Sequence, residues 1–222
     1  MSATEKTDTT PVEATPAAGR RGRPRVFDRE AALETAMKLF WVRGYEATSI
    51  TDLTTALGIG PTSLYAAFGS KEQLYAEAVK LYSATYENLV LGRFRTASTA
   101  REAVFAYLWD TAAAVTGSDS LPRGCMVTLA YVGGDEHAEL GHLMRTSRSG
   151  GYEVLVARLE QAVRDGELPP SLNIVYLARY LQTVQSGMAI RARDGATREE
   201  LQTVAKIAMA SWDSLISGAN EN

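Results

Sequence analysis

The sequence of 222 residues has little of what several protein classes depend on. It has a single cysteine, Cys125, so neither an internal disulfide nor a multi-cysteine zinc site can form, which fits a reducing compartment. No stretch approaches the roughly 18 consecutive apolar residues that span a bilayer. Residues 1–19 lack the cationic start and the apolar run of a secretory signal. We therefore expect a soluble, cytoplasmic protein with a disordered tail at 1–19 and a short tail at 218–222.

Catalytic and metal-binding signatures are also missing. There is no Ser/His/Asp order, phosphate-cradling glycine loop or paired-carboxylate signature, so we expect neither enzyme activity nor a cofactor. The two histidines, His137 and His142, are five positions apart, with acidic residues nearby. Helical metal ligands prefer spacings of three or four, so only Glu139 and His142 are well placed, and we expect no metal site.

Positive charge is concentrated in one part of the chain. The formal net charge is -3, yet residues 20–71 carry eight Lys or Arg against five Asp or Glu, a balance of +3. Within this segment the run RRGRPR places four arginines close together: Arg20, Arg21, Arg23 and Arg25. Such an arm can neutralise phosphates and enter a narrow minor groove, although a solvated basic linker has the same composition.

Apolar residues at helical spacing predict an all-α fold of about nine helices, beginning with three short ones. The first runs from an N-cap at Asp28 to Gly44, and either Thr48 or Ser49 caps the second. After the connection at residues 58–60, the third begins with Pro61 in its first turn.

Further capping boxes predict helices in the rest of the chain, where no strand is expected. The patterns at 70–73, 99–102 and 197–200 each combine Ser or Thr with Glu or Gln three residues later. The helix that opens at Ser70 is expected to reach about Leu91. The pair at 150–151 interrupts the helical stretch from Ala138 to Arg164, and the pattern does not decide between a kink and two helices.

Two short helices joined by a tight turn form the geometry that places a helix in the major groove of DNA. The outward face of the third helix should meet base edges with small side chains, namely Pro61, Thr62, Ser63, Ala66 and Ala67. Residues at helix starts, or with a hydroxyl or ammonium group, should contact phosphates, namely Thr48, Ser49, Tyr65 and Lys71. The ring of Tyr65 could instead pack on the first helix.

The segments GYEATSI at 44–50, LGIG at 57–60, SLYAAF at 63–68 and KEQL at 71–74 resemble the signature of tetracycline-repressor (TetR) family regulators. The resemblance implies an all-helical homodimer in which a small ligand, bound in the C-terminal domain, releases the protein from a palindromic DNA operator. It implies a DNA-binding domain with its basic arm at 20–75 and a ligand-binding and dimerisation domain at 76–217. Thr48, Tyr65 and Lys71 would contact phosphate. Ala67 departs from the pattern, since many relatives carry His or Tyr there.

The last two predicted helices, from about Ser171 to Arg191 and from Thr197 to Ser217, carry long apolar stripes. Such stripes are usually intramolecular core, and the resemblance adds a four-helix dimer interface as an alternative. The first stripe is Ile174, Leu177, Leu181, Val184 and Met188, and the second is Leu201, Val204, Ala205, Ala208, Trp212 and Leu215.

A pocket for a small-molecule effector is expected among the central helices. Its candidate lining, for which ordinary core is the alternative, is Phe105, Tyr107, Trp109, Met126, Tyr131, Met144, Tyr152, Gln182 and Gln185. Cys125 could act as a thiol sensor if Arg123 stabilised its thiolate, or it could be a buried free cysteine.

Two other function classes remain open at this stage. One is a helical enzyme or carrier domain that the N-terminal module tethers to DNA. The other is an architectural DNA-binding protein without sequence preference.

Overall fold

The computed structural model describes residues 27–118, 121–130 and 137–217, and within these ranges the chain is helical without any strand. The all-α expectation is confirmed. The helices are α1 Arg29–Arg43, α2 Ile50–Leu57, α3 Pro61–Phe68, α4 Lys71–Thr96, α5 Ala100–Val115, α6 Met126–Leu129, α7 Ala138–Arg164, α8 Ile174–Arg193, α9 Arg198–Ala210 and α10 Trp212–Ser217.

Two helix boundaries differ from the sequence prediction. The fourth helix continues beyond Leu91 to Thr96, because Leu91 and Phe94 are buried and keep its last turns packed on the body. The last predicted helix is divided at Ser211, which ends α9 before the short α10 begins. In none of the described helices does an apolar stretch reach the length needed to cross a membrane.

Local capping explains where the first helices begin and end. The Asp28 carboxylate accepts hydrogen bonds from the backbone N–H groups of Glu30 and Ala31, both at 3.1 Å. Ser49 caps α2 in a reciprocal capping box with Asp52, which decides between the two predicted caps. Gly58 ends α2 with φ of +65°, a left-handed conformation that glycine adopts without steric cost. Ser49 and Gly58 thereby fix where α2 begins and ends.

Two hydrophobic cores share the long helix α4. The first core joins α1, α2, α3 and the start of α4, and it includes three residues of α6 and α7, namely Met126, Leu140 and Met144. The second core joins the end of α4 to α5, α8, α9 and the later part of α7. Because α4 enters both, the N-terminal helices are held directly by the body.

Helix α7 is continuous from Ala138 to Arg164. The pair Gly150 and Gly151 therefore neither divides it into two helices nor adopts a positive φ.

Candidate DNA-binding face and internal cavity

Helix α3 buries one side and presents small side chains on the other. Leu64 is fully buried and Phe68 nearly so, against α1 and α4. On the opposite side the predicted base-facing residues Pro61, Thr62, Ser63 and Ala66 are exposed. Ala67 is half-buried against the first core, so its methyl is turned partly away from solvent.

The start of α3 lies open to solvent. Gly60 occupies the N-cap and supplies no side-chain acceptor, whereas Ser49 caps α2. The first N–H groups of a helix have no partner within the helix. An anion such as a DNA phosphate can accept hydrogen bonds from them.

Among the predicted phosphate contacts, the structure contradicts Thr48. Its side chain is fully buried, and its hydroxyl donates a 2.7 Å hydrogen bond to the carbonyl oxygen of Gly44. The hydroxyl thereby holds the turn between α1 and α2. The sequence pattern favours Thr48 and Ser49 equally as caps of α2. It does not show which of the two side chains points inward.

The other three phosphate candidates lie at or near the surface. Tyr65 is 46% exposed on α3. Ser49 is exposed, but its hydroxyl already binds the Asp52 carboxylate at 2.6 Å. The Lys71 ammonium lies 4.2 Å from the centre of the Tyr45 ring, and burial lowers the pKa of Lys71. Of these three candidates, Tyr65 thus presents an exposed side chain and Lys71 supplies a cation near this face.

The arginine arm lies outside the described residues, and so does Tyr131 of the predicted pocket. Among the basic residues that are described at this end, two already have carboxylate partners. Arg29 binds Glu77 of α4 at 2.7 Å, and Arg43 binds Asp52 at 2.6 Å. These partly exposed ion pairs connect α1 to α4 and to α2.

A cavity of about 1020 Å³ lies between α4, α6, α7 and α8. Three predicted pocket residues, Tyr107, Gln182 and Gln185, line it, together with Cys125. Sequence reasoning missed two tyrosines one helical turn apart on α4, Tyr82 and Tyr86, and three arginines on α7 and α8, Arg145, Arg148 and Arg179. The i, i+4 spacing of the two tyrosines places them on one face of α4, and this could be read from the sequence. No nearby sequence feature shows that this face is turned toward α7.

Five predicted pocket residues do not line this cavity. Met126 of α6 and Met144 of α7 are buried in the first core, because α6 packs on α1 and α4, and the start of α7 packs on α4. Phe105 lies at the surface beside Trp109, with ring centres 5.3 Å apart. Tyr152 packs on the second core, and its ring lies 4.1 Å from the Arg179 guanidinium carbon.

Cys125 has an environment different from the one predicted. The Tyr82 hydroxyl lies 3.3 Å from its Sγ, and Cys125 caps α6 by accepting a hydrogen bond from the Thr128 N–H. Arg123 does not stabilise a thiolate, because its guanidinium donates to the carbonyl oxygens of Ala192, at 2.8 Å, and Ala196. Burial raises the pKa of Tyr82 well above its ordinary value. A sensing role for Cys125 remains a prediction.

The two histidines do not come together at a metal site within the described part of the chain. His137 Nδ1 lies 2.7 Å from the Glu72 carboxylate of α4. Across the described ranges no three potential metal ligands form a group.

Helices α8 and α9 also have an exposed apolar face. Most of the predicted stripes are buried within the protomer, including Leu177, Leu181, Leu201 and Trp212. Other apolar side chains of the same helices face outward, namely Val175, Tyr176, Tyr180, Ile190 and Ile207, together with Val204 of the predicted second stripe. Ile207 is 68% exposed, and an exposed set of apolar side chains on adjacent helices is the kind of surface that marks an interaction site.

Comparison with known proteins agrees with this arrangement. A family model described as "Bacterial regulatory proteins, tetR family" matches residues 32–78. The HTH-type transcriptional repressor ComR of Escherichia coli (strain K12) is 34% identical over 201 residues, covering 88% of this chain and 94% of ComR. The repressor BdcR of the same organism is 29% identical over 192 residues, covering 84% of this chain and 90% of BdcR.

A solved structure has the same fold and a bound duplex. It contains a cysteine mutant of the TetR family transcriptional regulator CifR, complexed with a 26 bp double-strand operator DNA. CifR is 38% identical, with a TM-score of 0.80, and the match covers 86% of this chain and all of the CifR chain.

Proposed function

Since the chain belongs to the TetR family of bacterial transcriptional regulators, we propose that it is a repressor that binds a palindromic DNA operator and leaves it when a small molecule fills the cavity. Residues 20–75 form the DNA-binding part, including the arginine arm, and residues 76–217 form the ligand-binding and dimerisation part. The protein is not an enzyme and works in the cytoplasm.

The exposed face of α3 carries this proposal. Four small side chains, Pro61, Thr62, Ser63 and Ala66, lie together on a helix whose start has no side-chain cap. Small residues allow close approach to base edges, and Thr or Ser hydroxyls can reach them. That CifR was solved with operator DNA, and that ComR and BdcR are repressors, supports the same use of this helix.

A homodimer through α8 and α9 supplies the second recognition helix. The outward apolar residues of these helices form a self-complementary surface when two copies meet about a two-fold axis. Two recognition helices about one turn of DNA apart, or a multiple of it, read a palindrome with the affinity that one eight-residue helix lacks.

Binding of the purified protein to DNA from its own upstream region tests the proposal. Fluorescence anisotropy is measured on that duplex and on a scrambled duplex of equal composition, across a salt series. We expect tighter binding to the upstream duplex and weaker binding as salt rises, because phosphate contacts release counterions. Equal affinity for both duplexes would indicate an architectural protein instead. Loss of all binding at low salt would contradict DNA binding itself.

The dimer is tested by sedimentation velocity on Ile207→Asp. A carboxylate in the middle of the proposed interface should produce monomers and weaken operator binding. Leu89→Asp is the matched control, because Leu89 is a comparably exposed apolar residue on α4. A dimer that survives Ile207→Asp without change would place the interface elsewhere.

A further inference from the structure

Two glycines in the wall of the cavity are required neither by a close neighbour nor by a positive φ. Gly150 and Gly151 lie within the continuous helix α7, where each glycine costs about 0.8–1.0 kcal/mol relative to alanine. Neither has a positive φ, and a Cβ added at either would meet no atom within 4 Å. Both line the cavity. Their effect is therefore to leave space and exposed backbone at the cavity wall.

Three arginines line the same cavity as these glycines. Arg145 and Arg148 are three positions apart, so they share a face of α7, and Arg179 lies on α8. Arg148 donates to the carbonyl oxygens of Val127 and Ala130, which leaves its charge without a counterion.

The remaining two cations are also without carboxylate partners among the described residues. Arg145 forms no ion pair there, and Arg179 stacks on the Tyr152 ring. All three positive charges of the lining thus lack an acidic partner within the described ranges.

Two acidic residues line the cavity, and one is already neutralised. Glu87 forms an ion pair with Arg95, which lies outside the lining. Glu153 has no ion-pair partner in the described part of the chain. Three unpaired arginines against one unpaired glutamate give the lining an excess of positive charge.

The α4 side of the cavity is aromatic. Tyr82 and Tyr86 lie one turn apart, with ring centres 5.1 Å apart, and both contact the Trp41 ring of α1. Tyr107 of α5 also reaches the cavity. Flat apolar surface on one side and unpaired cations on the other suit a ligand with one apolar part and one anionic group.

We propose that the cavity binds an amphipathic organic anion, such as a carboxylate or sulfonate, with an aromatic or hydrocarbon body. The anionic group lies against Arg145, Arg148 and Arg179. The body extends over Gly150 and Gly151 toward the tyrosines of α4. This inference rests on the proposed function, because it identifies the chemical class of the effector in the same cavity.

A pair of fluorescent probes tests the charge requirement. Anilinonaphthalene sulfonate is an amphipathic anion, and N-phenylnaphthylamine is the same ring system without the sulfonate. Both are titrated against the full-length protein at low salt. We expect saturable binding of the sulfonate, at least roughly tenfold tighter than that of the neutral probe, because charge-assisted hydrogen bonds to guanidinium are strong.

Matched variants test whether the preference for the anionic probe arises in the cavity. Arg145→Gln should weaken sulfonate binding by roughly tenfold and leave the neutral probe unchanged. Arg164→Gln is the control, because it removes the same charge from the exposed end of α7, outside the lining. Gly151→Leu should weaken both probes, since the new side chain occupies cavity space.

The outcomes separate this inference from the proposed function. Equal binding of both probes, absence of sulfonate binding, or an equal effect of Arg145→Gln and Arg164→Gln would overturn the anionic class. Operator binding by the same preparations is measured alongside. Intact operator binding with no charge preference refutes only the ligand class, whereas absent operator binding refutes the regulator itself.

Discussion

Arg193 of α8 donates a 2.7 Å hydrogen bond from Nη2 to the carbonyl oxygen of Trp41, near the end of α1. Its Nη1 binds the Val42 carbonyl and its Nε binds the Arg123 carbonyl, both at 2.9 Å. The last carbonyls of a helix have no partner within the helix, and here one guanidinium satisfies two of them. Trp41 also contacts the cavity tyrosines, so this arginine joins the DNA-binding part and the cavity wall.

Arg193→Ala should lower the free energy of unfolding by about 2 kcal/mol, because three carbonyl groups lose a charged donor. Urea unfolding followed by circular dichroism measures the change. Hydrogen exchange should also become faster in the last turn of α1.

Arg191→Ala is the control for that prediction. Arg191 lies two positions earlier on α8, and its exposed side chain pairs only with Asp194, at 3.4 Å, within the described residues. An exposed pair of this kind contributes less than about 1 kcal/mol. Equal losses from both substitutions would mean that the bonds to Trp41 and Val42 do not hold α1.

The capping box of α2 should make the free energy of unfolding depend on pH in the acid range. Hydrogen bonds from Ser49, with a smaller effect of Arg43, lower the pKa of Asp52 to about 2. A carboxylate with a lowered pKa stabilises the fold above its unfolded pKa, near pH 4, and loses that contribution as the pH falls toward 2. Asp52→Asn should therefore be less stable than the wild type at pH 5, and the difference should shrink below pH 4. A difference that stays constant from pH 5 to pH 2 would contradict the lowered pKa.

Gly150→Ala should raise the free energy of unfolding by about 0.8–1.0 kcal/mol, because alanine favours the helix and the added methyl meets no neighbour. Gly187→Ala in α8 is the control, since a Cβ there also meets nothing within 4 Å and Gly187 lies outside the lining. Both substitutions should stabilise alike in thermal unfolding. Destabilisation by Gly150→Ala alone would show that α7 needs glycine for its backbone shape.

Tyr65→Phe and Ser63→Ala should have different effects on DNA binding. Loss of the exposed Tyr65 hydroxyl should weaken binding roughly fivefold on every duplex, because a phosphate contact carries no sequence information. Ser63→Ala should instead change the preference among operator variants. Thr96→Ala, exposed at the end of α4 and away from α3, serves as the control and should leave both unchanged. If both substitutions weakened binding to all duplexes equally, Ser63 would not be a base-recognising residue.

The local features of this fold could be predicted from the sequence, whereas its long-range contacts could not. Asp28, Gly58 and Pro61 act within four residues of their own position, and the helices they delimit were predicted correctly. The sequence predicts Met126 and Met144 in a pocket, but they lie in the first core, because α6 packs on α1 and α4 and α7 packs on α4.

The cavity shows the same division between local and long-range information. Tyr107, Gln182 and Gln185 were found because aromatic and polar residues stand out in central helices. Arg123 was expected to act on its neighbour Cys125, but it binds carbonyl oxygens about 70 positions later in the chain. The prediction that Arg123 acts on Cys125 is wrong, because an arginine side chain is long enough to reach another helix instead of its neighbour in sequence.

The contribution of Met126, Leu140 and Met144 to the first core has a consequence for unfolding. A fragment that ended near residue 75 would expose the apolar surface that these side chains cover, and it would also lose Ala78 and Val79 of α4. We therefore expect that the DNA-binding helices do not fold as an autonomous unit. Unfolding of the whole chain should be a single cooperative transition. The fragment that ends near residue 75 should resemble a molten globule rather than the same helices in the intact protein.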